Sequence, residues 1–280
     1  FVINKFRGDI GLLQSGLDWL EQRTGKPVLG VLPYLMDLQL AEEDAIQASQ
    51  TMDQNDIRLR IAVPVFSRIS NHTDFDMLRA HPQVELTFVR QGQRLPPSDL
   101  IILPGSKHVR ADLDLLKQHG WDKDIGKHLR YAGKVLGICG GYQMLGQTIC
   151  DPTGVEGAIG TSQGLGYLPI QTRLHNEKQL THSQGKLRLS ADKNSKSVEA
   201  TVSGYQIHVG HTERDADSKA FALLDDGQLE GCVSLDNQVA GSYLHGMFDS
   251  PLALKQIIAW AGAETDEVET YAAQQERELD

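Results

Sequence analysis

The chain of 280 residues lacks several features, and each absence removes a class of function. There is no apolar run of the ~18 residues that a membrane-crossing helix needs, so no span is expected. The formal net charge is -10, with 27 Lys and Arg against 37 Asp and Glu, and the basic residues form no cluster. Nucleic acid and anionic membrane surfaces both require a basic footprint, so neither is an expected partner. Cysteine is scarce: Cys139, Cys150 and Cys232 are an odd set with no CxxC pair. That argues against a cysteine-paired zinc site and a disulfide scaffold, and fits a reducing cytoplasm. The start, "FVINKFRGD", has neither a charged leader region nor a small-residue cleavage site, so it does not read as a signal peptide. It also lacks Met and opens in a strand-like run, so the expectation is a fragment that begins inside a domain.

The composition present, 40% hydrophobic and 23% charged, is that of a globular protein able to bury a sizeable core. "FVINKF" and "KPVLGVLPYL" are short strand-like runs, and "LLQSGLDWLEQRTG" between them reads as a helix closed by Gly25. Strand, helix, strand predicts a parallel pair. The polar stretch 41–56 reads as a linker. "RLRIAVPVF", "VELTFV", "DLIILPG" and "KVLGIC" then read as strands. They alternate with the helical segments "TDFDMLRAHP", "ADLDLLKQHG" and "WDKDIGKHLRYAG". This predicts an α/β fold with a mostly parallel, doubly wound sheet. After about residue 160, "QGKLRLS", "VEATVSGYQIHVGHT" and "GCVSLDNQVAGSYLHGMF" alternate with period two and predict an antiparallel extension. "SPLALKQIIAWAG" predicts a last helix with Ser250 as its cap and Pro251 in its first turn. The expected division is 1–40, linker 41–56, main domain 57–264 and an acidic tail 265–280.

Chemistry concentrates at "KVLGICGGYQMLGQ", residues 134–147. The run G-x-C-x-G between a strand and a helix is the cysteine form of a nucleophile elbow. Glycines at 137 and 141 permit close approach, the helix start favours a thiolate, and the Gly140 N–H would face a developing oxyanion. A tight turn around a buried thiol is the competing interpretation, and the motif alone leaves both open. Pro104-Gly105-Ser106 ends the preceding strand. Carboxyl ends of neighbouring strands share one crevice in an open α/β sheet, so this loop and the elbow should meet. A base would come from His245, at the end of "VAGSYLHG", or from "GYQIHVGHT". His208 and His211 could be argued as a metal pair, but period-two alternation puts them on opposite faces, and no metal site is expected.

"LPGS", "GICGGYQMLG", "GYQIHVGHT" and "YLHGMFDSP" together resemble the class I glutamine amidotransferase domain of the cobyric acid synthase family. "VINKFRGD" and "LDWLEQRTGKPVLGVLPYL" resemble the end of that family's dethiobiotin-synthetase-like ATP-binding domain. The resemblance runs in order over nearly the whole chain and implies a flavodoxin-like glutaminase fold preceded by a partial P-loop-type α/β domain. It implies that Cys139 attacks the amide of glutamine to form a thioester, with His245 activating the thiol and protonating the departing amine. It further implies oxyanion loops at Gly105 and Gly140, glutamine contacts from Gln143, Tyr205 and His208, and an adenine pocket near Asn4 and Pro33. The activity implied is ATP- and glutamine-dependent amidation of corrin-ring carboxylates, with adenosylcobyrinic acid a,c-diamide as acceptor substrate. ATP and Mg²⁺ would serve as cofactors, an upstream ATP-binding domain as partner, and glutamine hydrolysis itself would need no cofactor.

Two departures qualify the resemblance. Most class I glutaminases carry Glu two residues after the histidine, where this chain has Met247. The implication is a Cys-His dyad or an acid from elsewhere, with Asp249 nearby in another register. No G-x-x-x-x-G-K-[ST] phosphate loop occurs, so the nucleotide's phosphates and Mg²⁺ would sit on residues outside this sequence. An amidotransferase of the same architecture acting on a cell-wall lipid precursor is an alternative, disfavoured by the N-terminal segment. A non-catalytic amidotransferase-like domain is another, favoured only by the missing Glu.

Overall fold

The structure is a computed structural model that describes residues 1–6, 10–33, 55–67, 69–190 and 200–265. Phe1–Leu40 belongs to one compact unit and Ala41–Ala273 to another. In the first, strands Val2–Phe6 and Gly30–Pro33 pair in parallel around the helix Ile10–Thr24. Gly25 closes the helix at φ +65°, a left-handed conformation that glycine adopts without steric cost. Most of the expected linker, and the acidic tail beyond residue 265, lie outside the described residues.

The second unit is built on a six-stranded sheet. Its five parallel strands are, in chain order, Leu59–Pro64, Val84–Val89, Leu100–Leu103, Lys134–Ile138 and Val239–Ser242. In space they run second, first, third, fourth, fifth, and Cys232–Val233 adds an antiparallel edge. This is the flavodoxin-like order expected from the sequence. Every residue of Leu100–Leu103 is buried, as a continuous apolar run requires of a strand covered on both faces. The first and third strands lie side by side, yet the chain leaves them for different neighbours. Outside their carboxyl ends lies the switch-point crevice, where Ile69–Ser70 of one loop pairs antiparallel with Gly105–Ser106 of the other.

A second sheet orders Gly160–Gln163, Thr148–Asp151, Ile170–Leu187, Thr201–Arg214 and Leu244–His245, with Ala222–Leu224 and Leu229–Glu230 attached. It is antiparallel apart from the Thr148–Asp151 pairing with Ile170–Leu187, so the expected extension is present. Its longest strand, 18 residues, starts well before the "QGKLRLS" segment read from sequence. The chain passes from the central sheet at Ser242 into the second sheet at Leu244, with Tyr243 as the joint.

Two expectations need correction. Ser250 precedes the helix Pro251–Trp260 but makes no side-chain cap, because its Oγ meets the Ser203 N–H and Oγ, each at 3.2 Å. Strict alternation also fails between His208 and His211. Gly210 takes φ +96°, and the pairing register with Ile170–Leu187 shifts there. His208 is nonetheless buried and His211 exposed. No described helix is long and apolar enough to cross a membrane.

Candidate active site

The elbow follows from backbone contact. Strand Lys134–Ile138 ends at Cys139, and helix Gly140–Leu145 begins at once. A methyl group on Gly141 would collide with the Leu103 carbonyl oxygen, so only glycine lets this helix pack so close to the third strand. Cys139 is thereby forced to φ 50°, ψ -107°, a conformation costing about 1–3 kcal/mol for a residue with a side chain. Two hydrogen bonds hold it there. The Cys139 N–H donates to Ser242 O at 2.8 Å, and its carbonyl accepts from the Gln143 N–H at 3.1 Å. The thiol is 6% exposed and donates to Ile207 O at 3.6 Å. The helix has only six residues, too short to supply much dipole, so a charged neighbour must come from a side chain.

That neighbour is His245, fully buried at the end of Leu244–His245. Its Nδ1–H donates to Asp74 Oδ2 at 2.7 Å, and Asp74 Oδ1 accepts the Gly246 N–H at 2.9 Å. The Asn71 amide also reaches Nδ1, at 3.2 Å. Nε2, the nitrogen left over, has no hydrogen-bond partner among the described residues. Burial alone would strip the ring of its proton. The hydrogen bond and negative charge of Asp74, with the Cys139 sulfur close by, outweigh it and raise the pKa to about 10. His245 is thus an imidazolium at neutral pH, beside a cysteine. Tyr205, opposite it across the strand pair, stacks on the ring at 5.3 Å.

Asp74 is the functional candidate that sequence reasoning missed. It lies 171 residues from His245, in the loop after the first parallel strand. The only signal for it is topological: that loop opens onto the switch-point crevice. The position that carries Glu in most class I glutaminases holds Met247, which is 1% exposed and part of the apolar core. Asp249 makes no bond to His245. Burial, followed by the charges of Asp74 and Asp76, pushes its carboxyl up to about 6.

The oxyanion candidates converge. A Cβ built on Gly140 would lie 2.8 Å from the Ser106 nitrogen, and one on Gly105 would lie 3.3 Å from His245 Cε1. The Ser106 hydroxyl donates to the buried Asp112 at 2.6 Å, and Ser67 donates to the other oxygen of that carboxylate at 2.7 Å. Asp112 thereby ties the Gly105 loop to the loop that carries Asp74.

Gln143 is 2% exposed, and its Nε2 donates to Tyr243 Oη at 2.9 Å and Val209 O at 3.4 Å. His208 stacks on Tyr243 at 3.7 Å, and its Nδ1 donates to Gly210 O at 3.1 Å. Burial lowers its pKa to about 4, so it is neutral. Cys139, Gly105, Gly140, Tyr205 and His245 thus come together, with Gln143 and His208 beneath them. Asn4 and Pro33 belong to the other unit, in its two strands, and their side chains lie outside the described residues. Among the described residues no group of three or more His, Cys, Asp or Glu is arranged to hold a metal ion.

Comparison with known proteins bears on the fold and the family. The structure titled "Structure of PurLQS from Thermotoga maritima" is similar at 16% identity and TM-score 0.54, over 73% of this chain and 99% of that one. One titled "Crystal structure of glutamine amidotransferase" is similar at 15% identity and TM-score 0.51, over 72% and 99%. At such identities these matches show the fold. Residues 60–253 match the family described as CobB/CobQ-like glutamine amidotransferase domain. That match spans the elbow, Asp74 and His245, and this chain belongs to the CobB/CobQ-like glutamine amidotransferase family.

Proposed function

We propose that this chain hydrolyses glutamine through Cys139 and delivers the ammonia to an acceptor carboxylate. The observation that carries the reading is the buried His245–Asp74 pair, 2.7 Å apart, beside a Cys139 held on a strained strand-to-helix elbow. The reactive state is the ion pair formed when the Cys139 thiol gives its proton to the His245 ring. The thiolate attacks the carboxamide carbon, and the carbonyl electrons move to oxygen near the Gly140 and Ser106 backbone. His245 passes its proton to the departing nitrogen, the C–N bond breaks, and ammonia leaves a thioester. The neutral ring then takes a proton from water, hydroxide displaces sulfur, and glutamate departs. The strained backbone at Cys139 serves this chemistry by fixing the sulfur before substrate arrives.

For the acceptor, the reading is a corrin-ring carboxylate of adenosylcobyrinic acid a,c-diamide, activated by ATP with Mg²⁺. Its support is "NKFRGD" and "GVLPYL" in the first unit, together with the family match. This chain has no phosphate loop to hold the nucleotide, so that half of the reaction falls outside its residues.

The test is glutamate and ammonia release by this chain. Cys139→Ser should abolish both and leave the melting temperature unchanged. Hydrolysis that survived the substitution would refute the nucleophile assignment. Adenosylcobyrinic acid a,c-diamide that failed to accept amide nitrogen from the chain joined to its ATP-binding partner would refute the acceptor.

A further inference from the structure

Beneath Cys139 one polar atom of a buried side chain makes no hydrogen bond among the described residues. Gln143 stands one helical turn beyond the nucleophile, its N–H on the Cys139 carbonyl. A backbone carbonyl can only accept, so the Val209 oxygen dictates which end of the Gln143 amide faces it. With the nitrogen on that side, both of its protons are used, one on Val209 and one on Tyr243. Oε1 is left with no hydrogen bond among the described residues, although it is not sealed from solvent. A nine-tenths buried side chain with an idle acceptor beside a nucleophile calls for a donor from outside the fold.

Tyr243 makes this orientation rigid. Its hydroxyl is bonded to Thr212 Oγ1, which in turn lies 2.7 Å from Thr172 Oγ1. Its ring is clamped between His208, stacked at 3.7 Å, and the edge of Tyr142 at 5.2 Å. Burial pushes its ionisation upward, so the phenol stays neutral and able to accept from the amide. The joint between the two sheets is therefore also the part that sets the amide.

We propose that Tyr243, anchored through Thr212 and Thr172, is a positioning residue that holds Gln143 with Oε1 turned out to accept an N–H from bound glutamine. The inference rests on the glutaminase reading above and adds a determinant of substrate affinity to it. Calorimetric titration of glutamine into the Cys139→Ser chain tests it without turnover. Tyr243→Phe keeps both ring contacts and removes the two hydrogen bonds of the hydroxyl, to Gln143 and to Thr212, so glutamine binding should weaken about five- to tenfold. In the chain with Cys139 intact, KM should rise by the same factor while kcat stays within about twofold. Thr212→Val should act in the same direction by about two- to threefold, and Thr212→Ser should restore wild-type affinity. If Tyr243→Phe does not fold, the Thr212 pair carries the test alone. Unchanged affinity, or a fall in kcat with KM constant, would overturn the proposal and leave the glutaminase reading standing. Failure of the Cys139→Ser chain with Tyr243 intact to bind glutamine at all would sink both.

Discussion

Cys139 and His245 reach the same crevice by opposite means. The nucleophile is set by backbone: a glycine pressed against the Leu103 carbonyl, a strained φ and two main-chain hydrogen bonds. The histidine is set by side chains: Asp74 and Asn71 at its Nδ1 and the Tyr205 ring against its face. A backbone device depends on residues close in sequence, whereas a side-chain device can draw its parts from anywhere in the fold. The two halves should therefore fail differently.

The largest effect expected comes from Cys139→Ser, with glutamine hydrolysis falling by about ten-thousandfold or more and little change in stability. Asp74→Asn should follow, with kcat lowered by about 10²–10⁴ as the imidazolium loses its partner. That variant also carries a signature in pH. The folded pKa of His245, about 10, lies above its ordinary 6.5, so the bond to Asp74 contributes its full stability below about pH 6.5 and loses it as pH rises through about 10. Wild-type melting temperature should fall across that window more than that of Asp74→Asn, and the alkaline limb of activity should shift to lower pH in the variant. Equal slopes in the two would mean that Asp74 does not hold the proton.

Gly141→Ala tests the backbone half. Its methyl must displace the helix or the third strand, so stability should fall by about 1–3 kcal/mol, measured by urea unfolding, with activity lost in parallel. Met247→Glu asks whether an acid in the position usual for class I glutaminases can substitute for Asp74. Met247 lies in the core, so the new carboxylate should cost about 3 kcal/mol and rescue none of the activity of Asp74→Asn. Rescue would show that the two positions reach the same ring nitrogen. Met247→Leu should be the mildest change, below about 1.5 kcal/mol, because it conserves volume.

The same contrast explains what the sequence disclosed. The parallel strands and the elbow were legible because "DLIILPG" and "GICGG" state their burial and their turn within a few residues. Asp74 was not, since nothing local in "HTDF" distinguishes it from a solvated loop carboxylate. Only the strand order brings it under His245. The strand Ile170–Leu187 was missed as far as Ser183 for a different reason. "NE" at 176–177 and "LTH" at 180–182 are exposed, so main-chain pairing with Thr201–Arg214 holds this stretch, and no apolar rhythm betrays it. His208 is buried and His211 exposed, but a glycine bulge lies between them where regular alternation was assumed.

The distance along the chain between Asp74 and His245 bears on how the protein is made. A ribosome releases the acid first, the thiol next and the histidine late, just ahead of the helix Pro251–Trp260. The last parallel strand, which accepts the Cys139 N–H, also arrives only then. On the proposed reading, a nascent or truncated chain that ends before Ser242 carries a thiol with neither its elbow hydrogen bond nor its histidine. On that reading, a chain that stops short of His245 should not hydrolyse glutamine.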